Sequence, residues 1–540
     1  MIKRLFLSVL LMPFLTATIS AQQNNISKVW VADNGDGTYK NPVLHADYSD
    51  PDAIRVGDDY YLISSSFNHA PGLPILHSKD LVNWTIIGHA LQQQMPLAHF
   101  SKVQHGNGVW APSIRYHNNE FYIYYPDPDF GIYVTKAKNI TGPWTTPVMV
   151  YEGKGLIDPC PLWDDNGKTY LVHALAGSRA GFKSVLIVNE MNAAGDKITG
   201  NDVLVYDGHL TDATIEGPKL YKRNNYYYIF APAGGVGTGW QLVLRSKNIY
   251  GPYERREVLH QGKTNVNGPH QGAWVQTQTG EDWFLHFQDR DAYGRIVHLQ
   301  PMKWMNDWPV IGTDEDNDGN GEPVLRYKKP NVGKKYPATT PQESDEFNGN
   351  SLGLQWQWQA NPQLNWAYCF PAKGALRLNS ILKSDSAKNL WDVPAMLTQK
   401  FPAEEFTATV KFSFTTKTNG EQFGLVVMGM SYAGITVTKS ESGLNISYIN
   451  CMDAEHGKPE TVTAAQPVSA GDLYFRVKVV KDAVCSFSYS TDGITFTNLP
   501  ATFKAVPGKW IGATMGLYCS RVQKINDAGF ADMDWFRVEK

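Results

Sequence analysis

Aromatic-rich apolar runs that follow polar turn residues recur along the first 330 residues of the chain. Each of five such units begins with Gly, Asn or Glu and continues into a short run of tyrosine, phenylalanine, tryptophan or aliphatic residues. Short apolar runs bounded by turn residues predict antiparallel strands joined by tight turns. The units lie at residues 57–62, 118–123, 166–171, 224–229 and 281–285.

A proline lies just upstream of each of these units. Because proline cannot donate to a sheet ladder, it is confined to edge strands, strand ends and bulges. The innermost strand of each blade of a β-propeller is such an edge and lines the central channel. We therefore predict a five-bladed β-propeller over residues 30–330, with the proline-bearing segments around one axis. The prolines are Pro51, Pro112, Pro159, Pro218 and Pro269.

The pattern changes after a polar, proline-bearing linker at residues 328–341. Apolar residues then alternate with polar ones, most clearly over 406–414 and 475–479, and Asp492-Gly493 indicates a hairpin turn. Such alternation is typical of two sheets packed face to face. We predict a jelly-roll-like β-sandwich over residues 343–540, and so an all-β protein.

The chain begins with the features of a secretory signal. Lys3 and Arg4 precede an apolar run at residues 5–15, and small residues follow as far as Ala21. The run is too short to span a membrane as a helix. We expect residues 1–21 to be a signal peptide, and the remaining chain to be secreted or periplasmic without membrane insertion.

Composition excludes several classes of function. The 540 residues are 42% hydrophobic and 19% charged, as in globular proteins of two or more domains. The net charge of -3 and the absence of a basic block leave nothing to neutralise phosphates, so nucleic acid is not an expected partner. Five cysteines without a CxxC motif indicate neither a disulfide framework nor a zinc cluster.

Three of the proline-bearing segments carry a carboxylate: Asp50, Asp158 and Glu216. If these segments line one channel, the three side chains converge at its mouth. Like charges brought together raise one another's pKa, so a cluster of this kind indicates a functional site. Paired carboxyls are the catalytic groups of glycoside hydrolysis. The alternative is a set of ordinary turns, because Asp is common before Pro in turns.

The segments that carry these residues resemble glycoside hydrolase family 43. The similarity extends over nearly the whole chain after the signal, because similar members also carry a C-terminal β-sandwich. It implies a five-bladed propeller that hydrolyses terminal α-L-arabinofuranosyl or β-D-xylosyl units with inversion. The motifs, in the family's order, lie at residues 41–52, 108–112, 157–159, 215–219 and 294–295.

By this resemblance Asp50 matches the general base, Glu216 the general acid, and Asp158 the residue that orients the acid and raises its pKa. Inversion requires a water molecule between the base and the sugar. Asp50 and Glu216 are therefore expected roughly 6.5 to 9.5 Å apart, rather than the roughly 5 Å of a retaining pair.

The resemblance also implies substrate-binding residues. Trp110 and Phe67 match positions that flank the terminal sugar, although packing between blades is an alternative for Phe67. Arg295 matches an arginine that donates to sugar hydroxyls or to the acid, with a structural salt bridge as the alternative. His270 is expected to point into the channel, where family members often hold a water or a calcium ion. A histidine bonded only to backbone is the alternative, so no metal ligand is assigned.

An acidic turn at Asp314, Asp316 and Asp318 resembles the start of a calcium-binding loop. Its twelfth position is Leu325, which cannot supply the bidentate carboxylate, so a helix-loop-helix calcium site is excluded. A solvated acidic turn is favoured.

Asp345 or Glu346 and Asp534 lie at opposite ends of the sandwich's sequence, as do calcium ligands in some similar domains. No cofactor is expected to be required, and a structural calcium ion is left open. Cys160 is expected to be buried packing rather than a nucleophile, because no histidine is near it in sequence.

The favoured function is an exo-acting inverting hydrolase that releases terminal α-L-arabinofuranosyl residues from plant hemicellulose or its oligosaccharides. One alternative is a β-D-xylosidase, or an enzyme with both activities, because the family uses the same three acids for both sugars. An alternative of another class is a secreted sugar-binding propeller without catalysis. A retaining five-bladed hydrolase acting on fructosides is the third alternative.

Overall fold

The computed structural model describes residues 26–540 and consists almost wholly of β-strands. The predicted signal peptide at residues 1–21 lies outside the described residues. After the short strand β1 (Thr38–Lys40), the chain forms five consecutive four-stranded antiparallel sheets. These are the five blades of the predicted propeller, which is thereby confirmed.

Each blade is formed by four strands in sequence order. The strands are β2 (Asp52–Val56), β3 (Asp59–Ile63), β4 (Gly72–Ser78) and β5 (Trp84–Leu91) in blade 1; β6 (Ser113–His117), β7 (Glu120–Asp127), β8 (Gly131–Ala137) and β9 (Val148–Glu152) in blade 2; β10 (Leu156–Trp163), β11 (Thr169–Leu175), β12 (Val185–Met191) and β13 (Val203–Asp207) in blade 3; β14 (Lys219–Arg223), β15 (Tyr226–Ala233), β16 (Trp240–Ser246) and β17 (Glu254–Leu259) in blade 4; and β18 (His270–Gln276), β19 (Asp282–Asp289), β20 (Arg295–Met305) and β21 (Trp308–Ile311) in blade 5.

The first strand of every blade is an edge of its sheet. First strands of neighbouring blades contact each other, β2 with β6 and β18, and β10 with β6 and β14. They therefore surround the central channel, as the proline pattern predicts. Four of the prolines directly precede the first strand, whereas Pro159 lies within β10 at a break in register between Ile157 and Cys160.

The polar turn residues form tight hairpins between the first and second strands of the blades. Asn118 and Asn119 have φ values of 48° and 62°, and Asn224 and Asn225 have values of 49° and 60°. Two successive residues with positive φ define the type I′ turn, whose twist matches that of the flanking strands. Asparagine tolerates this region better than most residues, which explains its recurrence at these turns.

Aromatic side chains fill the interfaces between the blades. Tyr221 lies 5.3 Å from Trp274 between blades 4 and 5, where Phe230 is also 6.0 Å from Phe284, measured between ring centroids. Such pairs contribute about 0.5–1.5 kcal/mol each beyond their buried area. Both first and second strands of these neighbouring blades therefore pack through aromatic side chains.

After blade 5, β22 (Arg326–Lys328) pairs with β1 in a separate two-stranded sheet, and the chain then enters a β-sandwich. One sheet has the order β23-β27-β36-β29-β30-β31-β32, with β26 beside β36, and the other has the order β24-β25-β37-β28-β33-β34-β35. The strands are β23 (Gln357–Trp358), β24 (Ala367–Phe370), β25 (Ala375–Asn379), β26 (Ile381–Leu382), β27 (Met396–Lys400), β28 (Phe406–Thr415), β29 (Gln422–Met428), β30 (Tyr432–Ser440), β31 (Gly443–Cys451), β32 (Thr461–Val468), β33 (Asp472–Val480), β34 (Val484–Ser490), β35 (Thr497–Lys504), β36 (Thr514–Arg521) and β37 (Phe530–Glu539).

The alternating residues of β28 and β33 face the core between the two sheets, as predicted. The turn between β34 and β35 contains Asp492, whose carboxylate accepts the backbone N–H groups of Ile494 and Thr495 at 2.8 Å each. The sandwich prediction is confirmed. The side chains in the shared core include Phe406, Ala408, Val410, Phe412, Phe475, Val477 and Val479.

The sandwich is joined to the propeller by hydrogen bonds as well as by the linker. Ala70 and Trp358 exchange two backbone hydrogen bonds of 3.0 and 2.6 Å, and Gln94 and Asn361 exchange another pair of 2.7 and 2.9 Å. The loop at residues 505–513, between β35 and β36, extends to the channel mouth. The two domains therefore share a polar, ordered interface.

The described chain contains one α-helix, α1 (Gly177–Ala180), of four residues. Among residues 26–540 no helix is long and apolar enough to cross a membrane. All five cysteines are free thiols, and four of them are buried.

Candidate active site

The three predicted carboxyls lie at or just before the starts of inner strands, close enough for their charges to interact. Asp50 precedes β2, Asp158 lies at the irregular start of β10, and Glu216 lies three residues before the start of β14. The charges of both Glu216 and Asp50 act on the Asp158 carboxyl. Asp50 and Asp158 are 5% and 3% exposed, whereas the Glu216 side chain is 28% exposed. The structure thus brings the three together, with Glu216 the most open to solvent.

An unusual backbone conformation recurs at these three segments. Asp50, Asp158 and Gly217 have φ values of 54°, 58° and 61°, and each directly precedes a proline. This left-handed conformation costs non-glycine residues about 1–3 kcal/mol, and such strain concentrates at functional sites. A Cβ at Gly217 would lie 2.2 Å from the side chain of Gln271. Glycine is therefore required after Glu216.

Four hydrogen bonds are donated to the Asp50 carboxylate. Arg295 Nη1 lies 3.0 and 3.2 Å from its two oxygens, and the hydroxyls of Ser49 and Ser65 lie 2.7 and 2.6 Å from Oδ2. Donors of this kind stabilise the charged form of a carboxylate, as a general base requires. Arg295 is predicted to donate to sugar hydroxyls or to the acid, with a structural salt bridge as the alternative. Its hydrogen bonds to Asp50 and Ser49 fit that alternative, and donation to a sugar stays a prediction.

The pKa of the Asp158 carboxyl is raised by its surroundings in the site. Burial and the negative charges of Glu216 and Asp50 raise the pKa of Asp158 to about 8, although the Gly217 N–H donates to its Oδ2 at 2.7 Å. Because the Asp158 and Glu216 carboxyls interact, the raised pKa of Asp158 means that the pair retains a proton at neutral pH.

The raised pKa of Asp158 predicts a pH-dependent stability. The folded protein holds a proton at Asp158 that the unfolded chain, with the ordinary pKa of 3.8, releases. The stabilisation is thus complete below about pH 4 and is lost as the pH rises through about 8. We expect Asp158→Asn to lose less stability than the unchanged protein between pH 5 and pH 9, with Tm shifting by about 1–2 °C per kcal/mol.

Calorimetry at the two pH values measures this difference. Asp165→Asn, at an exposed turn residue, is the control and should follow the unchanged protein. Equal pH-dependence of Tm in Asp158→Asn and the unchanged protein would contradict the assignment.

His270 contacts Glu216, and this contact was not predicted from the sequence. Its Nε2 lies 3.0 Å from Glu216 Oε1, and the ring is fully buried. Within residues 26–540 its Nδ1 has no hydrogen-bond partner. The imidazole therefore orients the Glu216 carboxyl from the side of blade 5.

Aromatic side chains from both domains cluster around Trp110, a predicted substrate-binding residue. Trp110 is half-buried, and its ring lies 6.4 Å from Phe67 and 6.0 Å from Trp510, while the Arg179 guanidinium lies 5.3 Å from it. Phe67 is only 2% exposed, so it chiefly supports Trp110. Trp510 belongs to the sandwich loop and is 48% exposed. The sequence offered no signal for Trp510, because its position depends on domain docking.

Buried side chains fill the channel along the inner strands. Lys219 Nζ donates to the Pro112 carbonyl and to the Ser113 hydroxyl, both at 2.9 Å. Arg115 forms an ion pair with Asp52 at 2.7 Å and also donates to the Sγ of Cys160. Cys160 is fully buried, as expected. We call Lys219, Arg115, Asp52 and Cys160 the channel plug. They lie farther along the inner strands than the carboxyls and fill the channel behind them.

The acids considered for calcium have protein partners. The Asp314 carboxylate accepts the N–H groups of Asp318 and Gly319, and its oxygens lie within 4.8 Å of those of Asp316 and Asp318. In the sandwich, Asp345 accepts the indole N–H of Trp356.

The other two sandwich acids form ion pairs, Asp534 with Lys411 at 2.5 Å and Glu346 with Arg537 at 2.8 Å. These contacts satisfy the acids without an ion. A structural calcium ion stays a prediction.

A five-bladed propeller whose channel mouth gathers three interacting carboxyls beside an aromatic wall has the form of a glycoside hydrolase. The family described as "Glycosyl hydrolases family 43" matches residues 39–309. The family described as "Beta xylosidase C-terminal Concanavalin A-like domain" matches residues 344–539. The chain belongs to glycoside hydrolase family 43.

Curated relatives align over almost the whole chain. A "Putative beta-xylosidase" of Xylanibacter ruminicola is 38% identical over 503 residues, covering 92% of this chain and 89% of that protein. A "Beta-xylosidase" of Formosa agariphila is 34% identical, with coverages of 94% and 91%. The "Non-reducing end alpha-L-arabinofuranosidase BoGH43B" of Bacteroides ovatus is 30% identical, with coverages of 92% and 94%.

A solved structure has the same two-domain architecture. The GH43 BlXynB protein of Bacillus licheniformis aligns with a TM-score of 0.79 and 28% identity, covering 93% of this chain and 99% of that one. Family membership and the relatives' names establish that the protein is a glycoside hydrolase of the β-xylosidase and arabinofuranosidase type, with a polysaccharide or oligosaccharide substrate.

Proposed function

We propose that the protein is an exo-acting, inverting β-D-xylosidase that removes terminal xylosyl units from xylo-oligosaccharides or hemicellulose. The observation that carries the exo mode is the channel plug behind the carboxyls, because it makes the channel mouth a blind pocket. A blind pocket accepts a chain end and excludes the middle of a polymer.

The proposed chemistry assigns one role to each carboxyl. Asp50, which accepts hydrogen bonds from Arg295 and two serine hydroxyls, deprotonates the attacking water. Glu216, the most exposed of the three, protonates the leaving oxygen. Asp158 shares with Glu216 the proton that the acid transfers, and its carboxyl accepts the Gly217 N–H, which orients Glu216. These are the roles that the base and the acid have in an inverting displacement.

The choice of sugar rests on the relatives. The sequence favoured α-L-arabinofuranosyl units, but the relatives that are 38% and 34% identical are both named β-xylosidases. The Bacteroides ovatus relative supports α-L-arabinofuranosidase activity as the second candidate. The three carboxyls suit either pentose, because both substrates require the same acid and base.

Side-by-side kinetics test the proposal. We expect kcat/KM to be higher for 4-nitrophenyl β-D-xyloside than for 4-nitrophenyl α-L-arabinofuranoside. Proton NMR of the first product from the xyloside should show α-xylose, the inverted anomer. A higher value for the arabinofuranoside would select the second candidate. Initial release of β-xylose would establish retention and overturn the roles of Asp50 and Glu216, and sugar binding without turnover would support a non-catalytic propeller.

We further infer that residues 1–21 are a signal peptide and that the enzyme acts in the periplasm or outside the cell. The charged, apolar and small-residue regions of this segment support the inference. Amino-terminal sequencing of the protein from its native cell should begin at Gln22. A mature chain that retains Lys3 and Arg4 would contradict it.

Trp510 should contribute to substrate binding from the sandwich domain. Removing its exposed ring takes away an apolar surface beside Trp110, and we expect Trp510→Ala to lower kcat/KM about tenfold, mainly by raising KM. Tyr368→Ala, at an aromatic residue 53% exposed elsewhere on the sandwich, is the matched control. Steady-state kinetics on xylobiose measure the effect, and an unchanged KM in Trp510→Ala would exclude Trp510 from the pocket wall.

A further inference from the structure

Asp47 connects the sandwich domain to the arginine that holds Asp50. Its Oδ1 accepts the backbone N–H of Arg295 at 2.9 Å, and its Oδ2 accepts the backbone N–H of Gly512 at 3.1 Å. The side chain is 5% exposed. One buried carboxylate therefore joins the first residue of β20 to the sandwich loop that carries Trp510.

We propose that Asp47 is a positioning residue, through which docking of the sandwich loop sets the position of Arg295 and hence of Asp50. The proposal rests on the proposed function of Asp50 as the general base. It gives the sandwich a catalytic contribution that is separate from the pocket wall formed by Trp510.

The propeller side of this connection is short and closely packed. Asp47 lies three residues before Asp50, so one segment holds Arg295 at two points, through the backbone at Asp47 and through the guanidinium at Asp50. Gly294 has a φ of 73°, and a Cβ there would lie 2.5 Å from the Asp47 carboxyl carbon. The close approach leaves Arg295 little freedom to shift without moving Asp47.

The sandwich side is equally close. A Cβ at Gly512 would lie 2.7 Å from the backbone nitrogen of Gly294, and the Ala513 N–H donates to the Ala292 carbonyl at 2.8 Å. Trp510 is two residues away along the same loop. A displacement of this loop would therefore break the hydrogen bond from Gly512 to Asp47 and would also move Trp510 away from Trp110.

Charged neighbours act on the same group. Arg295 Nε lies 3.8 Å from Asp289 Oδ2, and the positive charge of Lys400 attracts Asp47 from the sandwich. Arg295 is thus surrounded by Asp47, Asp50 and Asp289, all of which stabilise its charge. An arginine shared among three carboxylates needs a fixed backbone position to keep its guanidinium on Asp50.

The substitution Asp47→Asn in the full-length protein tests the proposal. Asparagine keeps the shape of the side chain but can accept only one of the two N–H groups, because its amide nitrogen is a donor. We expect kcat to fall about fivefold to tenfold, the effect of one lost hydrogen bond. The loss should be equal for 4-nitrophenyl β-D-xyloside and for xylobiose, because a displaced base slows water attack whatever the leaving group.

Hydrogen exchange provides a readout that does not depend on activity. In Asp47→Asn we expect the backbone amides of both Arg295 and Gly512 to exchange about tenfold faster, because the two segments are anchored by the same carboxylate. Faster exchange at only one of them would show that the segments are not coupled and would overturn the proposal. Asp47→Ser, which keeps a single hydroxyl acceptor, is the second variant if Asp47→Asn does not fold.

The matched control is Asp80→Asn. Asp80 is also a buried aspartate of blade 1, and its Oδ1 accepts the backbone N–H groups of Val82 and Asn83 at 3.1 and 2.8 Å. We expect this change to lower Tm without lowering kcat. If Asp47→Asn behaves like Asp80→Asn, the contact is merely structural. If the unchanged protein hydrolyses no pentoside, the proposed function fails, and coupled hydrogen exchange then decides the connection alone.

Discussion

Asp50→Asn should reduce hydrolysis of every substrate about 10²- to 10⁴-fold, the usual contribution of a general base. An amide cannot remove a proton from water, whereas the donors Arg295, Ser49 and Ser65 remain in place. The loss should be similar for 4-nitrophenyl β-D-xyloside and for xylobiose, because the base acts on the attacking water and not on the leaving group. Values of kcat/KM for the two substrates measure the effect.

Asp58→Asn is the control for this experiment. Asp58 lies in the hairpin after β2 and forms an exposed ion pair with Lys334 at 3.3 Å. The control should keep full activity. If Asp50→Asn retained more than a tenth of the normal kcat/KM, Asp50 would not be the base.

Glu216→Gln should have a comparably large effect that depends on the leaving group. We expect a loss of about 10²- to 10⁴-fold on xylobiose, whose sugar alkoxide must be protonated as it departs. The loss on 4-nitrophenyl β-D-xyloside should be much smaller, because nitrophenolate leaves without a proton. Calorimetric titration with xylobiose should show that binding persists. The contrast with Asp50→Asn then separates the acid from the base.

Glu190→Gln, at a surface glutamate paired with Lys168, is the control and should not alter either rate. An equal loss of activity on both substrates in Glu216→Gln would contradict its role as the acid. Unchanged turnover in this variant would remove Glu216 from the chemistry altogether.

The propeller could be predicted from local properties of the sequence. Prolines at strand starts and asparagines in hairpin turns act through their own backbone preferences, so they report their position without knowledge of the rest of the fold. Asn118 and Asn224 occupy the positive-φ positions that this reasoning requires. The strands of the sandwich could also be predicted locally, from the alternation of apolar and polar residues along each strand.

The convergence of Asp50, Asp158 and Glu216 could be predicted because each lies beside the same marker, a proline at an inner strand. Their partners could not. Arg295 and His270 reach their carboxyls across distances of 245 and 54 residues along the chain, and those contacts depend on how blade 5 packs against its neighbours. Trp510 and Asp47 depend further on how the sandwich docks. Sequence patterns do not report how the blades pack against each other or how the sandwich docks on the propeller.

The plugged channel has a consequence for how the enzyme handles a chain. In the proposed exo mode, a released sugar cannot leave along the channel axis, because Lys219 and Arg115 fill the channel behind the carboxyls. The shortened oligosaccharide would then have to dissociate first, and the monosaccharide would depart by the opening through which it arrived. The proposed function therefore predicts a non-processive enzyme, in which free pentose competes with the next substrate for the same opening.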